Sequence, residues 1–161
     1  MMIGVLALQG DFAEHITMLQ RMGVEAFPVR LPGHLDELDG LIIPGGESTA
    51  IGKLMESYGF YEPIAERHAQ GMAVWGTCAG AILVAREVLD AVPGQRSLGL
   101  MDITVRRNAF GRQVDSFEVD LDIADVPGGE YRGVFIRAPW IEEAGDDVEV
   151  LARHEGVAVA A

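Results

Sequence analysis

Cysteine is almost missing from this 161-residue chain: Cys78 is the single example, which excludes an internal disulfide and any cysteine-rich metal site. Apolar runs of 18 or more residues are missing too, and no charged-then-apolar leader opens the sequence. Membrane insertion and secretion therefore have no support, and a reducing cytoplasm is the expected setting. Basic residues are scarce, 12 against 25 acidic, and the formal net charge of −13 opposes binding to phosphate backbones or anionic membrane surfaces. The expected partners include no nucleic acid and no membrane. His15, His34, His68 and His154 are scattered with no zinc-ligand spacing, so neither a metal nor a cofactor is expected.

What is present is a normal globular composition, 49% hydrophobic and 23% charged, enough to bury a proper core. No internal repeat, low-complexity tract or long linker interrupts it, and a single domain over 1–161 is expected. The first half alternates strand and helix patterns. Ile3–Leu8 is an apolar run of strand length, Gln9-Gly10-Asp11 a turn, and Phe12, Ile16, Leu19 and Met22 recur at helical spacing. Asp11 with Glu14 resembles a capping box, and Gly23 closes the helix. Ala26–Arg30 reads as a second strand, near an edge because it holds Pro28, and Gly40–Ile43 as a third. Two helical stretches broken near Gly59 lie between Ser48 and Gln70.

This alternation predicts an α/β fold in three layers, a mostly parallel sheet with helices on both faces. In such sheets ligands gather at the carboxyl ends of the strands, so the loops at Gln9-Gly10, Gly45-Gly46 and Cys78 should converge. The second half reads as an antiparallel extension, with strands at Ile103–Arg106, Phe117–Asp122, Gly133–Ile136 and Val148–Leu151.

Cys78 lies in Met72–Leu83, a short apolar strand, a Gly-x-Cys-x-Gly turn and an apolar helix. A strand reversing sharply into a helix crowds its own backbone, which Gly76 and Gly80 tolerate because they lack Cβ. The sulfur is thereby pushed outward to the helix N-terminus near Ala79, where unpaired N–H groups favour a thiolate. Lone cysteines are ordinarily buried core residues, but the paired glycines argue for a nucleophile. Ile42–Thr49 places Gly45 and Gly46 directly after a strand and Ser48-Thr49 at a helix start. Alone, such a pair marks only a turn; beside a thiolate, the Gly46 and Ala79 N–H groups fit an oxyanion hole.

Five segments carry a wider resemblance: Gly4–Gly10, Pro44–Thr49, Gly76–Gly80, Arg107–Phe117 and Gly133–Pro139. Together they resemble the glutaminase subunits of two-component pyridoxal 5'-phosphate synthases, within the class I glutamine amidotransferases. The likeness runs almost end to end. Gly-x-Cys-x-Gly fits the whole class, whereas Gly-Gly-Glu-Ser-Thr with Arg-Asn-x-Phe-Gly-Arg-Gln is specific to this family. The resemblance implies hydrolysis of L-glutamine to glutamate and ammonia through a thioester on Cys78. It also implies a hetero-oligomer in which ammonia passes to a barrel-shaped synthase subunit. By the same carry-over Gly46, Glu47, Ser48, Arg107, Ile136 and Arg137 match glutamine-binding positions. The chemistry fits: an arginine fork holds a carboxylate, and Glu47 accepts from a cation. Gln9-Gly10 falls where relatives respond to the partner.

The family completes its site with a His-x-Glu pair near the C-terminus, followed by a last helix, and the 161 residues contain no such pair. The expectation is therefore a glutaminase domain lacking that strand-turn and helix, and impaired in this form. His154-Glu155 is no substitute, because adjacent residues on a strand point to opposite faces; a hairpin loop between Val148–Leu151 and Val157–Ala160 suits it better. His15, His34 and His68 read as surface or half-buried residues. Two other classes stay open: a glutamine-binding regulatory subunit of the same complex without turnover, and a hydrolase or redox-responsive elbow-cysteine domain.

Overall fold

The computed structural model describes residues 1–107, 109 and 116–161. Its contacts divide the chain into two units, residues 1–84 with 92–100, and residues 85–91 with 101–161.

The first unit is built on four parallel strands: β1 (Met2–Leu6), β2 (Glu25–Val29), β3 (Gly40–Ile43) and β4 (Ala73–Gly76), in the spatial order β2-β1-β3-β4. The proline-bearing β2 is the edge, as its sequence predicts, and pairs with β1 from Met2↔Glu25 to Leu6↔Val29. α1 (Phe12–Arg21) carries the chain from β1 out to β2; α2 (Ser48–Tyr58) and α3 (Tyr61–Ala69) carry it from β3 to β4. The first crossover runs one way along the sheet and the second the other way. Crossovers between parallel strands follow a right-handed rule, which with these opposite directions places the helices on opposite faces and gives the three layers.

The core of this unit is continuous. Leu6, Ile43, Ile51, Met55, Phe60, Ile64 and Leu83 are all fully buried. The break between α2 and α3 falls at Gly59, whose left-handed φ of 69° ends α2 with its N–H on Glu56 O. One local expectation fails: Asp11 is the N-cap of α1, but its side chain makes no capping hydrogen bond. Its backbone N–H is instead drawn across to Gly45 O at 3.0 Å.

α4 (Ala79–Val84) follows β4 and ends with its apolar run. The carbonyls of Leu83 and Val84 accept the Leu98 and Leu100 N–H groups at 2.7 and 2.9 Å, so the helix has no need of a further turn. The chain then enters the second unit as a strand that the sequence does not announce, β5 (Ala85–Leu89).

In the second unit β6 (Met101–Arg106), β7 (Phe117–Leu121) and β8 (Tyr131–Phe135) appear near their expected places. β9 (Trp140–Ala144), β10 (Ala152–His154) and β11 (Val157–Ala160) complete it. One sheet has the order β10-β11-β9-β6-β5, and β7 and β8 form an antiparallel pair. Antiparallel pairing dominates, with β5–β6 the parallel exception. Val148–Leu151 is not a strand: Val148 N–H turns back to Gly145 O at 3.0 Å, and Leu151 O accepts Ala124 N–H at 2.9 Å. Only Leu151 N–H reaches the hairpin, donating to Ala160 O at 2.9 Å; the paired residues of the ladder start at Ala152, with the bend at Glu155-Gly156.

Candidate active site

The strand order reverses between β1 and β3, and the crevice beyond the carboxyl ends of these strands is where such sheets place ligands. Two loops meet there. Gly10, at φ 100°, approaches so closely that a Cβ on it would collide with Gly45 O. Gln9 Oε1 accepts the Glu47 N–H at 2.9 Å, and a Cβ on Gly46 would lie only 2.7 Å from that same oxygen. Glycine is thus required on both sides of the junction by close approach as well as by backbone conformation.

The third loop is the elbow. Thr77 N–H donates to Ile43 O at 3.1 Å, Gly80 N–H donates to Thr77 O at 2.8 Å, and Cys78 between them has φ 50°. A non-glycine residue in the left-handed region stores strain and persists only where its surroundings fix it. The two glycines show why. A Cβ on Gly76 would strike the backbone of Gly80, and one on Gly80 would strike Ile43 O. Cys78 is exposed at the start of α4, while Ala79 behind it is 1% exposed. The Cβ direction of Gly45 ends 3.6 Å from Cys78 Cβ, so the glycine loop runs beside the nucleophile.

Glu47 has a second task that the sequence reading omits. It is the N-cap of α2, accepting from Thr49 N–H at 3.2 Å, from Ala50 N–H at 2.8 Å and from the Thr49 hydroxyl. Three of the carboxylate's about four acceptor directions are thereby given to the start of α2. Ser48 is buried, and its hydroxyl accepts from Gln95 Nε2 at 3.2 Å.

Arg107, Ile136 and Arg137 belong to the second unit. Arg107 follows β6 and Ile136-Arg137 follows β8; Ala109 N–H donates to Ala138 O at 3.0 Å, which brings the two segments side by side. Ile136 is half exposed, and Arg137 has a left-handed φ of 47°. Of the Arg107–Phe117 segment that carries the Arg-Asn-x-Phe-Gly-Arg-Gln motif, Asn108 and residues 110–115 lie outside the described residues.

Three of the histidines hold local structure. His34 Nδ1 lies 3.4 Å from Arg30 N, and His68 Nδ1 lies 3.1 Å from Met72 O. His154 ends β10, not a loop, with its ring 5.1 Å from that of Phe117 and 6.0 Å from that of Phe135. His15 is different. Its Nε2 lies 3.3 Å from the hydroxyl of Thr77, the residue before the nucleophile, and its ring stands edge-on to Trp75 at 5.8 Å. Burial lowers its pKa below the ordinary histidine value, against the opposing pull of Asp11 and Glu14. The sequence held one clue to this placement: His15 is one turn into a helix whose first residues leave the carboxyl end of β1.

A strained, exposed cysteine at a strand-to-helix elbow, lying against a glycine loop at a topological switch point, defines the class of α/β enzymes that attack carbonyl carbon with a thiolate. A model of the SNO glutamine amidotransferase family matches residues 5–161, and the chain belongs to that family. It is 57% identical over 155 residues to the pyridoxal 5'-phosphate synthase subunit PdxT of Roseiflexus castenholzii, covering 96% of this chain and 82% of the relative. With the PdxT of Acidothermus cellulolyticus it shares 57% identity over 151 residues, 94% of this chain and 73% of the relative. A crystal structure of a glutamine amidotransferase, 50% identical, superposes with a TM-score of 0.91 over 99% of this chain and 83% of that one.

Proposed function

We propose that this chain hydrolyses L-glutamine at Cys78 and hands the ammonia to the synthase subunit of a two-component pyridoxal 5'-phosphate synthase. The observation that carries the reading is the Cys78 elbow packed beside the Gly45-Gly46 loop, in a chain of a glutamine amidotransferase family. The relatives' name as synthase subunits supports the synthase partner.

The chemistry follows from the parts. The Cys78 thiolate attacks the side-chain amide carbon, forming a C–S bond and moving charge onto the amide oxygen. Gly46 and Ala79 N–H groups take up that charge; each such donor is worth roughly 10²–10³ in rate. The C–N bond breaks as the nitrogen receives a proton and leaves as ammonia, and water then releases glutamate from the thioester. In the first unit Glu47 is the acceptor for the substrate ammonium and the Gly46-Ser48 backbone borders the amide; in the second, Arg107, Ile136 and Arg137 match the family's glutamine-binding positions, and either arginine suits a carboxylate.

Amide-labelled glutamine tests the whole reading. With the synthase subunit present, label should enter the synthase product while glutamate forms in equal amount. Glutamate formed without label transfer would remove the synthase coupling, and glutamine bound with no glutamate formed would leave the glutamine-binding subunit without turnover.

A further inference from the structure

We propose that His15 is a positioning residue for Cys78, acting through Thr77. The proposal rests on the glutaminase reading for its turnover readout, but not for its chemical one.

Thr77 is the pivot of the elbow. Its N–H is fixed to Ile43 O and its carbonyl to Gly80 N–H, which anchors the backbone on either side of the left-handed Cys78. Its remaining polar group, the hydroxyl, faces His15 Nε2 at 3.3 Å. His15 is itself held, since its ring packs edge-on against Trp75 of β4 and its helix begins at Asp11, whose N–H is bound to Gly45 O. One short helix thus connects the glycine loop to the residue preceding the nucleophile. The charged groups acting on His15 are Asp11, the N-cap of α1, and Glu14 in its first turn; Trp75 of β4 and Thr77 just after it are uncharged, with the Cys78 sulfur next along the chain. Its lowered pKa keeps the imidazole neutral near neutral pH, where Nε2 can either donate to or accept from the hydroxyl according to tautomer.

A purely structural His15 would affect stability alone. A positioning His15 changes how fast the thiolate reacts, and does so only through Thr77. The test compares His15→Phe, which keeps ring packing but not the bond, with His15→Gln, whose amide nitrogen reaches the Nε2 position, and with Thr77→Val. Two readouts serve: the rate of Cys78 alkylation by iodoacetamide on the chain alone, and kcat and KM for glutamine with the synthase subunit present. His15→Phe and Thr77→Val should each slow alkylation and lower kcat by roughly three- to tenfold, the span of one hydrogen bond, with KM within about twofold. The double variant should be no slower than either single one, and His15→Gln should recover most of the rate. Additive losses, or unaltered alkylation in both single variants, would overturn the proposal. If native Cys78 alkylates normally while glutamine is not hydrolysed, the glutaminase reading fails, and the alkylation comparison still decides the role of His15.

Discussion

Gln9 and Glu47 are joined across the mouth of the sheet, the side-chain oxygen of Gln9 accepting the Glu47 N–H at 2.9 Å. The bond ties the loop after β1 to the loop that carries Gly46, one of the two donors assigned to the oxyanion. Replacing Gln9 with Ala leaves that N–H to water at an exposed site, at a cost of about 1 kcal/mol. Gln9→Ala should therefore lower stability by about that amount and reduce kcat by roughly fivefold, with Cys78 alkylation unchanged. Urea denaturation and steady-state kinetics measure both.

The elbow glycines set a stricter limit. A methyl group on Gly80 would run into the backbone oxygen of Ile43, which cannot rotate away as a side chain would. Gly80→Ala should destabilise the fold by about 3 kcal/mol or prevent folding. Gly59→Ala is the control: nothing stands within 4 Å of its Cβ direction, and only the left-handed φ is penalised. Its cost should be about 1 kcal/mol. Equal costs at the two positions would contradict the close-approach account.

Glu47 caps α2 and is proposed to receive the substrate ammonium, two roles that its variants separate. Glu47→Ala removes the α2 cap and should cost about 1 kcal/mol of stability, together with a rise in KM for glutamine. Glu47→Ser keeps a capping oxygen without the charge. It should recover stability but not KM. Recovery of both would show that the carboxylate contributes only as a cap.

Acid should weaken the first unit earlier than its carboxylates alone require. The folded-state pKa of His15 lies below its unfolded value of about 6.5, so unfolding takes up a proton in the window just beneath that value. Stability is fully present above about pH 6.5 and declines as pH falls through the folded-state pKa. An ion-paired carboxylate of this unit such as Glu62, whose pKa is also lowered, chiefly by its hydrogen bond to Arg96, loses its contribution only at more acidic pH. Urea midpoints followed from pH 7 to pH 5 should fall in the native chain and fall less in His15→Gln.

Much of this architecture could be read from the residues. Strand-length apolar runs, helical spacing and a proline in β2 gave the parallel unit with its edge, and the glycines around Cys78 gave the elbow, because each feature depends on local sterics. Features decided by distant partners were not legible. Val148–Leu151 has strand composition, yet Val148 N–H turns back to Gly145 O, Leu151 O accepts Ala124 N–H, and only Leu151 N–H reaches Ala160 O of β11. At the site, Asp11 looked like a capping residue, but the demand came from its N–H toward Gly45. The role of His15 is hidden for the same reason: its spacing shows a helix, and only the packing of that helix against β4 reveals Thr77.

The central claim is that one thiolate performs the hydrolysis, and Cys78→Ala tests it most directly. Ammonia and glutamate release by the Cys78→Ala chain with its synthase subunit, measured beside glutamine binding, should show no turnover with binding retained. Turnover persisting in that variant would contradict the account.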